Sequence, residues 1–113
     1  MQLRTEWVDD LMIVRVDDDR IDAAVAIEFK DEMRALTGEG TGDVVLDVSR
    51  VRFVDSSGLG ALVAVLKALL PDRRLALAAP MPNVRSLLSL TRMDSVFQIM
   101  AEAPAAAARA RHG

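Results

Sequence analysis

Asp55-Ser56-Ser57-Gly58-Leu59-Gly60 is the stretch of sequence from which the rest of the fold can be worked out. It follows Asp43-Val44-Val45-Leu46-Asp47-Val48, an apolar run rich in β-branched residues that predicts a buried strand. The apolar residues from Leu59 to Leu70 come next, end at Pro71, and predict a helix. Two adjacent hydroxyls are therefore expected at a strand–turn–helix junction, where the first backbone N–H groups of a helix have no internal partner.

The two serines of this junction can serve the helix or a partner. Ser57 or Ser56 can cap the helix, and Gly58 allows a close approach to the backbone. If Ser57 is no more than the cap, Ser56 is the more exposed hydroxyl and the candidate functional residue. A phosphate there would add about −1.5 to −2 charge. The helix N-terminus would accommodate this charge, whereas Asp55 and a nearby Asp22 would repel it. We expect the fold to survive phosphorylation and a partner surface to be disrupted.

Composition restricts the class of protein. The chain has 113 residues, the size of one domain, and 51% of them are hydrophobic, enough for a core. Cysteine is absent and the one histidine is His112, which argues against disulfides, a metal site and a catalytic base. The net charge of −3 and the scarcity of aromatic residues argue against nucleic-acid binding. No apolar run is long enough to span a bilayer. We expect a cytoplasmic protein without membrane insertion and without a cofactor.

Periodicity predicts the remaining elements. Residues 2–8 and 11–16 form a hairpin around Asp9-Asp10, and residues 23–37 form a helix for which Asp22 is a possible N-cap. Further predictions are a strand over 75–79, a helix starting at Pro82, a short strand or docking segment over 96–100, and an alanine-rich helix or tail over 104–111. This order predicts an α/β domain with one mixed sheet of four to five strands and about four helices. The helix over 59–70 is apolar nearly all round, so it is either fully buried or exposes a patch for a partner protein.

Two kinds of chemistry are disfavoured by the motifs. A serine hydrolase would require Gly-x-Ser-x-Gly around the nucleophile and an oriented base, and the chain has neither. A nucleotide site would require a glycine loop that opens a helix, whereas the glycines over residues 38–42 precede a strand. We therefore do not expect an enzyme.

The motif resembles that of the STAS domain, in particular the stand-alone domains of the bacterial anti-sigma factor antagonist family. The resemblance rests on Phe53-Val54-Asp55-Ser56-Ser57-Gly58-Leu59-Gly60, on the strand before it, and on Arg20-Ile21-Asp22 upstream. Residues 82–88 and 90–97 are similar to the family's third helix and the segment after it. The match covers about residues 1–100. It implies a single STAS-type domain over residues 1–102, with 103–113 as an alanine-rich C-terminal helix or tail.

The resemblance also implies a mechanism and a set of site residues. In the family, an anti-sigma factor that is also a serine kinase phosphorylates the first serine of the motif, which is Ser56 here. The unphosphorylated protein binds that kinase, phosphorylation abolishes the binding, and a serine phosphatase reverses the modification. The expected partner-binding residues are Asp22, Asp55, Ser57, Gly58 and Leu59.

Two departures and two alternatives accompany the resemblance. Asp19 and Arg92 stand where the family usually has glycine, and Asp19 could alter the loop beside the phosphorylation site. Within the same fold, the chain could instead be a subunit of an ATPase complex such as a lipid transporter, or a signalling scaffold. Neither alternative requires a phosphorylation cycle.

Overall fold

The computed structural model describes residues 1–104 and contains a five-stranded mixed sheet with helices between its strands. In chain order the elements are β1 (Leu3–Val8), β2 (Leu11–Val16), β3 (Arg20–Ile21), α1 (Ala26–Thr37), β4 (Val44–Asp47), β5 (Phe53–Val54), α2 (Ser56–Leu69), β6 (Leu75–Ala78), α3 (Pro82–Leu90), a 3₁₀ turn (Met93–Ser95) and β7 (Gln98–Met100). The predicted α/β class and mixed sheet are confirmed.

The main sheet has the strand order β1-β2-β4-β6-β7. β1 pairs antiparallel with β2, and all later pairs are parallel. The predicted hairpin turn is present, and Asp9 adopts a left-handed backbone conformation with φ 55°, which aspartate tolerates better than most residues. Because parallel neighbours need a crossover, each later strand of the main sheet is reached through a helix.

The core lies between one face of the sheet and the helices. Alternate residues of β2 and β4, such as Val14 and Leu46, point to this face and contact the buried Phe29 and Met33 of α1 and the apolar side of α2. The opposite face carries a smaller cluster around Ile13 that includes the buried Ala103. Leu75, Leu77 and their neighbours in β6 are buried, as expected for a central parallel strand.

Three features differ from the sequence prediction. The helix predicted over 23–37 begins only at Ala26, since residues 22–25 form a turn. β3 and β5 form a separate two-stranded parallel sheet that local periodicity did not reveal. The 3₁₀ turn before β7 was not predicted either. Three α-helices lie within residues 1–104; the predicted helix or tail over 104–111 falls, from residue 105 onward, outside the described residues.

Candidate functional site

The N-terminus of α2 is capped by Asp55 and not by either serine. One carboxylate oxygen of Asp55, Oδ1, accepts a hydrogen bond of 2.8 Å from the backbone N–H of Gly58. The backbone of Asp55 is extended, with φ −98° and ψ −174°, as is usual for a capping residue. The prediction that Ser57 or Ser56 caps the helix was therefore wrong. Aspartate competes successfully for this position because its carboxylate also favours the positive end of the helix dipole.

The second carboxylate oxygen of Asp55 ties α2 to a distant loop. Oδ2 accepts a hydrogen bond of 3.0 Å from the backbone N–H of Ala23, 32 residues earlier in the chain. The bond from Gly58 is the largest cause that holds the pKa of Asp55 below its ordinary value, and the bond from Ala23 acts in the same direction. Asp55 is thus ionised at neutral pH and fixes the loop over residues 22–25 beside the start of α2.

Asp22 lies in this loop but does not cap α1. The N-cap position of α1 is Val25, which makes no side-chain capping bond. Asp22 instead accepts a hydrogen bond of 3.1 Å from the N–H of Ala24, within its own turn. Its other oxygen is 3.7 Å from Nε of Arg20. The N-cap alternative for Asp22 was therefore wrong, because aspartate is also well suited to close a short local turn.

Gly58 allows β3 and α2 to approach each other closely. A Cβ atom on Gly58 would lie 1.8 Å from the carbonyl oxygen of Ile21, which is shorter than any real contact. Gly58 is also buried. Gly58 thus lies in close contact with β3; its expected part in partner binding stays a prediction. Leu59, the next residue of that set, is partly buried and packs against the core.

Ser56 and Ser57 are the first two residues of α2, and both are exposed. The structure therefore brings Ser56, Ser57, Asp55 and the Asp22 turn together at one surface. Gly58 is buried beneath that surface, and Leu59 is partly exposed at its margin. No hydrogen bond within residues 1–104 involves the hydroxyl of either serine. Neither hydroxyl is therefore needed to cap α2.

An apolar groove lies next to β5, the strand that directly precedes the serines in the chain, and was not predicted from the sequence. It has a volume of about 480 Å³ and lies between β5 and α3. Its walls include Phe53 and Leu90, whose exposed fractions are 43% and 85%. The guanidinium of Arg20 lies 5.1 Å from the centre of the Phe53 ring. The alternation of residues 50–54 gave no signal for this groove, because it places Phe53 on the same face as Val51, which is buried, and opposite to the exposed Arg52.

Asp19 and Arg92, the two departures from the usual glycines, have different backbone conformations. Arg92 is left-handed, with φ 60° and ψ 20°, a conformation that glycine adopts without strain. Asp19, in contrast, does not have a positive φ. Its carbonyl oxygen accepts hydrogen bonds from the N–H groups of Arg52 and Phe53. Asp19 therefore fits the loop beside the site without backbone strain.

Residues 1–104 contain no group of three or more acidic, histidine or cysteine side chains arranged to hold a metal ion. In the same residues, no helix combines the length and apolarity that a membrane span requires.

Comparison with known proteins agrees with this architecture. The model of the STAS domain family matches residues 2–106. The chain is 28% identical to the protein BtrV of Bordetella bronchiseptica over 109 residues, which are 96% of this chain and 93% of BtrV. It is 28% identical over 102 residues to the anti-sigma-B factor antagonist of Staphylococcus epidermidis, covering 88% of this chain and 94% of that protein.

A solved structure extends the likeness to the fold. The crystal structure of an anti-sigma factor antagonist from Mycobacterium paratuberculosis superimposes with a TM-score of 0.81 and 25% sequence identity, covering 97% of this chain and 93% of that one. The family model spans nearly all of the described residues, and the five-stranded sheet with its α2 junction is the fold of the matched structure. The chain belongs to the STAS domain family.

Proposed function

We propose that this protein is a cytoplasmic anti-sigma factor antagonist that works by partner switching. In its unphosphorylated form it binds an anti-sigma factor that is also a serine kinase. Phosphorylation of Ser56 releases that partner, and a serine phosphatase restores the binding form. The similarity to the anti-sigma-B factor antagonist of Staphylococcus epidermidis supports the general role.

One observation carries the assignment of Ser56. It is exposed as the first residue of α2, and the cap that a serine usually provides there is supplied by Asp55. A kinase can therefore modify Ser56 without breaking a hydrogen bond that stabilises the helix. A phosphate at this position lies at the positive end of the helix dipole, so the folded state tolerates it.

The expected effect of the phosphate is on binding. The carboxylate of Asp55 is adjacent in sequence, and Asp22 lies in the turn that Asp55 holds in place. A phosphate adds about −1.5 to −2 charge to this surface. The proposed partner-binding site consists of Asp22, Asp55, Ser57, Gly58 and Leu59, with Gly58 positioning the others. The groove beside Phe53 would bind apolar groups of the same partner. A partner suited to a neutral hydroxyl then meets like charge and is released.

Phosphorylation-site mapping on protein purified from its native cells tests this proposal. Growing and stressed cells are compared by mass spectrometry, with a phosphatase-treated sample and a Ser56→Ala variant as controls. We expect a condition-dependent phosphate on Ser56 and none on Ser57. A protein that stays in a complex while Ser56 is unmodified in every condition would contradict the switch and favour a constitutive subunit of an ATPase complex or a scaffold.

The second measurement is the affinity of the protein for the kinase that co-purifies with it from its native cells. Ser56→Glu is expected to lower the affinity about tenfold or more, because a fixed negative charge then faces the partner. Ser89→Glu is the matched control: Ser89 is exposed on α3, and the groove beside Phe53 is lined by other residues of that helix. Equal affinities of the two variants would count against Ser56 as the switch.

A further inference from the structure

Within residues 1–104, no strand pairs with the outer edge of β1. Among residues 1–104, β1 pairs with β2 alone and forms one end of the main sheet. The other end, β7, has three residues, whereas β1 has six. An exposed strand edge of this length presents unpaired backbone groups to any strand that can align with it.

The backbone groups that face outward can be assigned. The carbonyl of Gln2 accepts a hydrogen bond of 3.0 Å from the N–H of Asp17, so Gln2 faces β2. Because the two sides of an antiparallel strand alternate residue by residue, Arg4 and Glu6 also direct their backbone groups to β2. The N–H and C=O groups of Leu3, Thr5 and Trp7 therefore point away from the sheet.

We propose that the outer edge of β1 binds a second copy of this chain, as an antiparallel strand pair with a twofold axis at Thr5. Pairing through the outward residues places Thr5 opposite Thr5 of the second copy and Leu3 opposite Trp7 of the second copy. The same register places Arg4 opposite Glu6. It joins the two main sheets into one ten-stranded sheet and does not involve the N-terminus of α2.

Charge complementarity selects this register. Arg4 already contacts Asp17 at 2.6 Å, and Arg15 lies 3.9 Å from Glu6. In the pair, Arg4 of one copy lies beside Glu6 of the other, so Asp17, Arg4, Glu6 and Arg15 alternate in sign across the interface. Opposite charges on facing strands stabilise the pairing, whereas like charges directly opposite each other destabilise it. The twofold axis repeats this row of charges on the other side of Thr5.

The apolar part of the interface is contributed by Trp7. Its side chain is 44% exposed although it is large and apolar. In the pair it packs beside Leu3 of the second copy, on the face of the sheet that carries the helices. Because only one strand from each copy takes part, the interface is small and the dimer is expected to depend on concentration.

Wild-type protein gives the first test. Sedimentation equilibrium should show an apparent mass that rises with concentration toward about twice that of one chain. The emission of Trp7, the one tryptophan, should shift to shorter wavelength over the same range, and the outward amide of Thr5 should exchange its hydrogen more slowly. A chain that is monomeric at every concentration overturns the proposal and leaves the edge to a different protein.

Thr5→Pro tests the strand edge directly. Proline removes an N–H that faces outward, so the pairing of β1 with β2 is kept while the pairing between copies is lost. Thr5→Val is the control, since it keeps the N–H and the preference for a strand. Circular dichroism establishes that both variants fold. A folded Thr5→Pro variant that still forms dimers would place the interface elsewhere.

A mixing experiment tests the register. It stays informative even though each substitution also removes an ion pair within its own chain. Arg4→Glu alone faces Glu6 of the second copy with like charge, and Glu6→Arg alone faces Arg4 in the same way. Each variant is expected to be monomeric where the wild type is dimeric. An equimolar mixture restores opposite charges at both positions and should recover the dimer. A mixture that stays monomeric while the wild type forms dimers rules out this register.

Discussion

Two glycines of α2 show how much depends on a single missing side chain. Gly58 and Gly60 are one half-turn apart, yet their surroundings are opposite. A Cβ atom on Gly58 would collide with the carbonyl of Ile21, whereas a Cβ atom on Gly60 would meet nothing within 4 Å. The first glycine sets the distance between α2 and β3, and the second only lowers the helix propensity of an exposed position.

Gly58→Ala is predicted to lower the free energy of unfolding by about 1–3 kcal/mol or more, because the backbone of β3 must move to accept the new methyl group. Gly60→Ala, in the same helix, should instead raise it by up to about 1 kcal/mol. Urea denaturation monitored by circular dichroism measures both values. Equal effects of the two substitutions would show that the close contact with Ile21 does not matter.

At the scale of one element, the start of α2 depends on an ionised carboxylate. Hydrogen bonds from Gly58 and Ala23 hold the pKa of Asp55 below its ordinary value. A carboxylate whose folded-state pKa is lowered stabilises the fold above its unfolded-state pKa, about 3.9, and this contribution is lost as the pH falls through the folded-state pKa. The junction that carries Ser56 should therefore weaken in acid.

Asp55→Asn isolates this charge, since asparagine is an equally good capping residue. We expect the variant to be less stable than the wild type at neutral pH. The difference should begin to shrink below about pH 4, where the carboxylate of the unfolded chain takes up a proton, and should disappear as the pH falls through the lowered folded-state pKa of Asp55. Thermal unfolding between pH 3 and 7 measures the difference. Asp31→Asn, at an exposed position of α1, serves as the control. A difference that stays constant over the whole range would contradict the assignment.

At the scale of the whole molecule, the helices are held on one face of the sheet by a continuous core. Phe29 of α1 is completely buried in it, and Ile27, two residues earlier, is 70% exposed. In the same helix, Phe29 therefore packs α1 against the sheet and α2, whereas Ile27 faces away from them. Since the loop over residues 22–25 precedes α1 directly, the position of this helix also determines where Asp22 lies.

Phe29→Ala is predicted to lower the free energy of unfolding by about 3–5 kcal/mol, because it removes buried apolar surface and leaves a cavity. Ile27→Ala should change it by less than about 0.5 kcal/mol, as expected for an exposed position. Chemical denaturation of both variants provides the comparison. A similar loss for Ile27→Ala would mean that the exposed face of α1 is covered in solution.

The sequence by itself determined the order of the main-sheet strands and the three helices between them, the antiparallel hairpin, the buried strand before the motif and the family. Each of these follows from local information: alternation along β2, the apolar run of β4, the proline at the start of α3, and the residues of the motif. Local reasoning also predicted that Ser56 would be the more exposed hydroxyl because Ser57 would cap the helix, whereas in the structure neither serine is the cap and both are exposed.

Only the tertiary structure decided how the site is held. Asp55 caps α2 with one carboxylate oxygen and with the other accepts a hydrogen bond from the N–H of Ala23, 32 residues away. Gly58 is required because the carbonyl of Ile21 approaches it, and β3 and β5 pair although each is two residues long. These contacts join segments far apart in the chain, and neither periodicity nor propensity carries information about such pairs. Local patterns therefore located the junction, whereas long-range contacts determined which atoms hold it together.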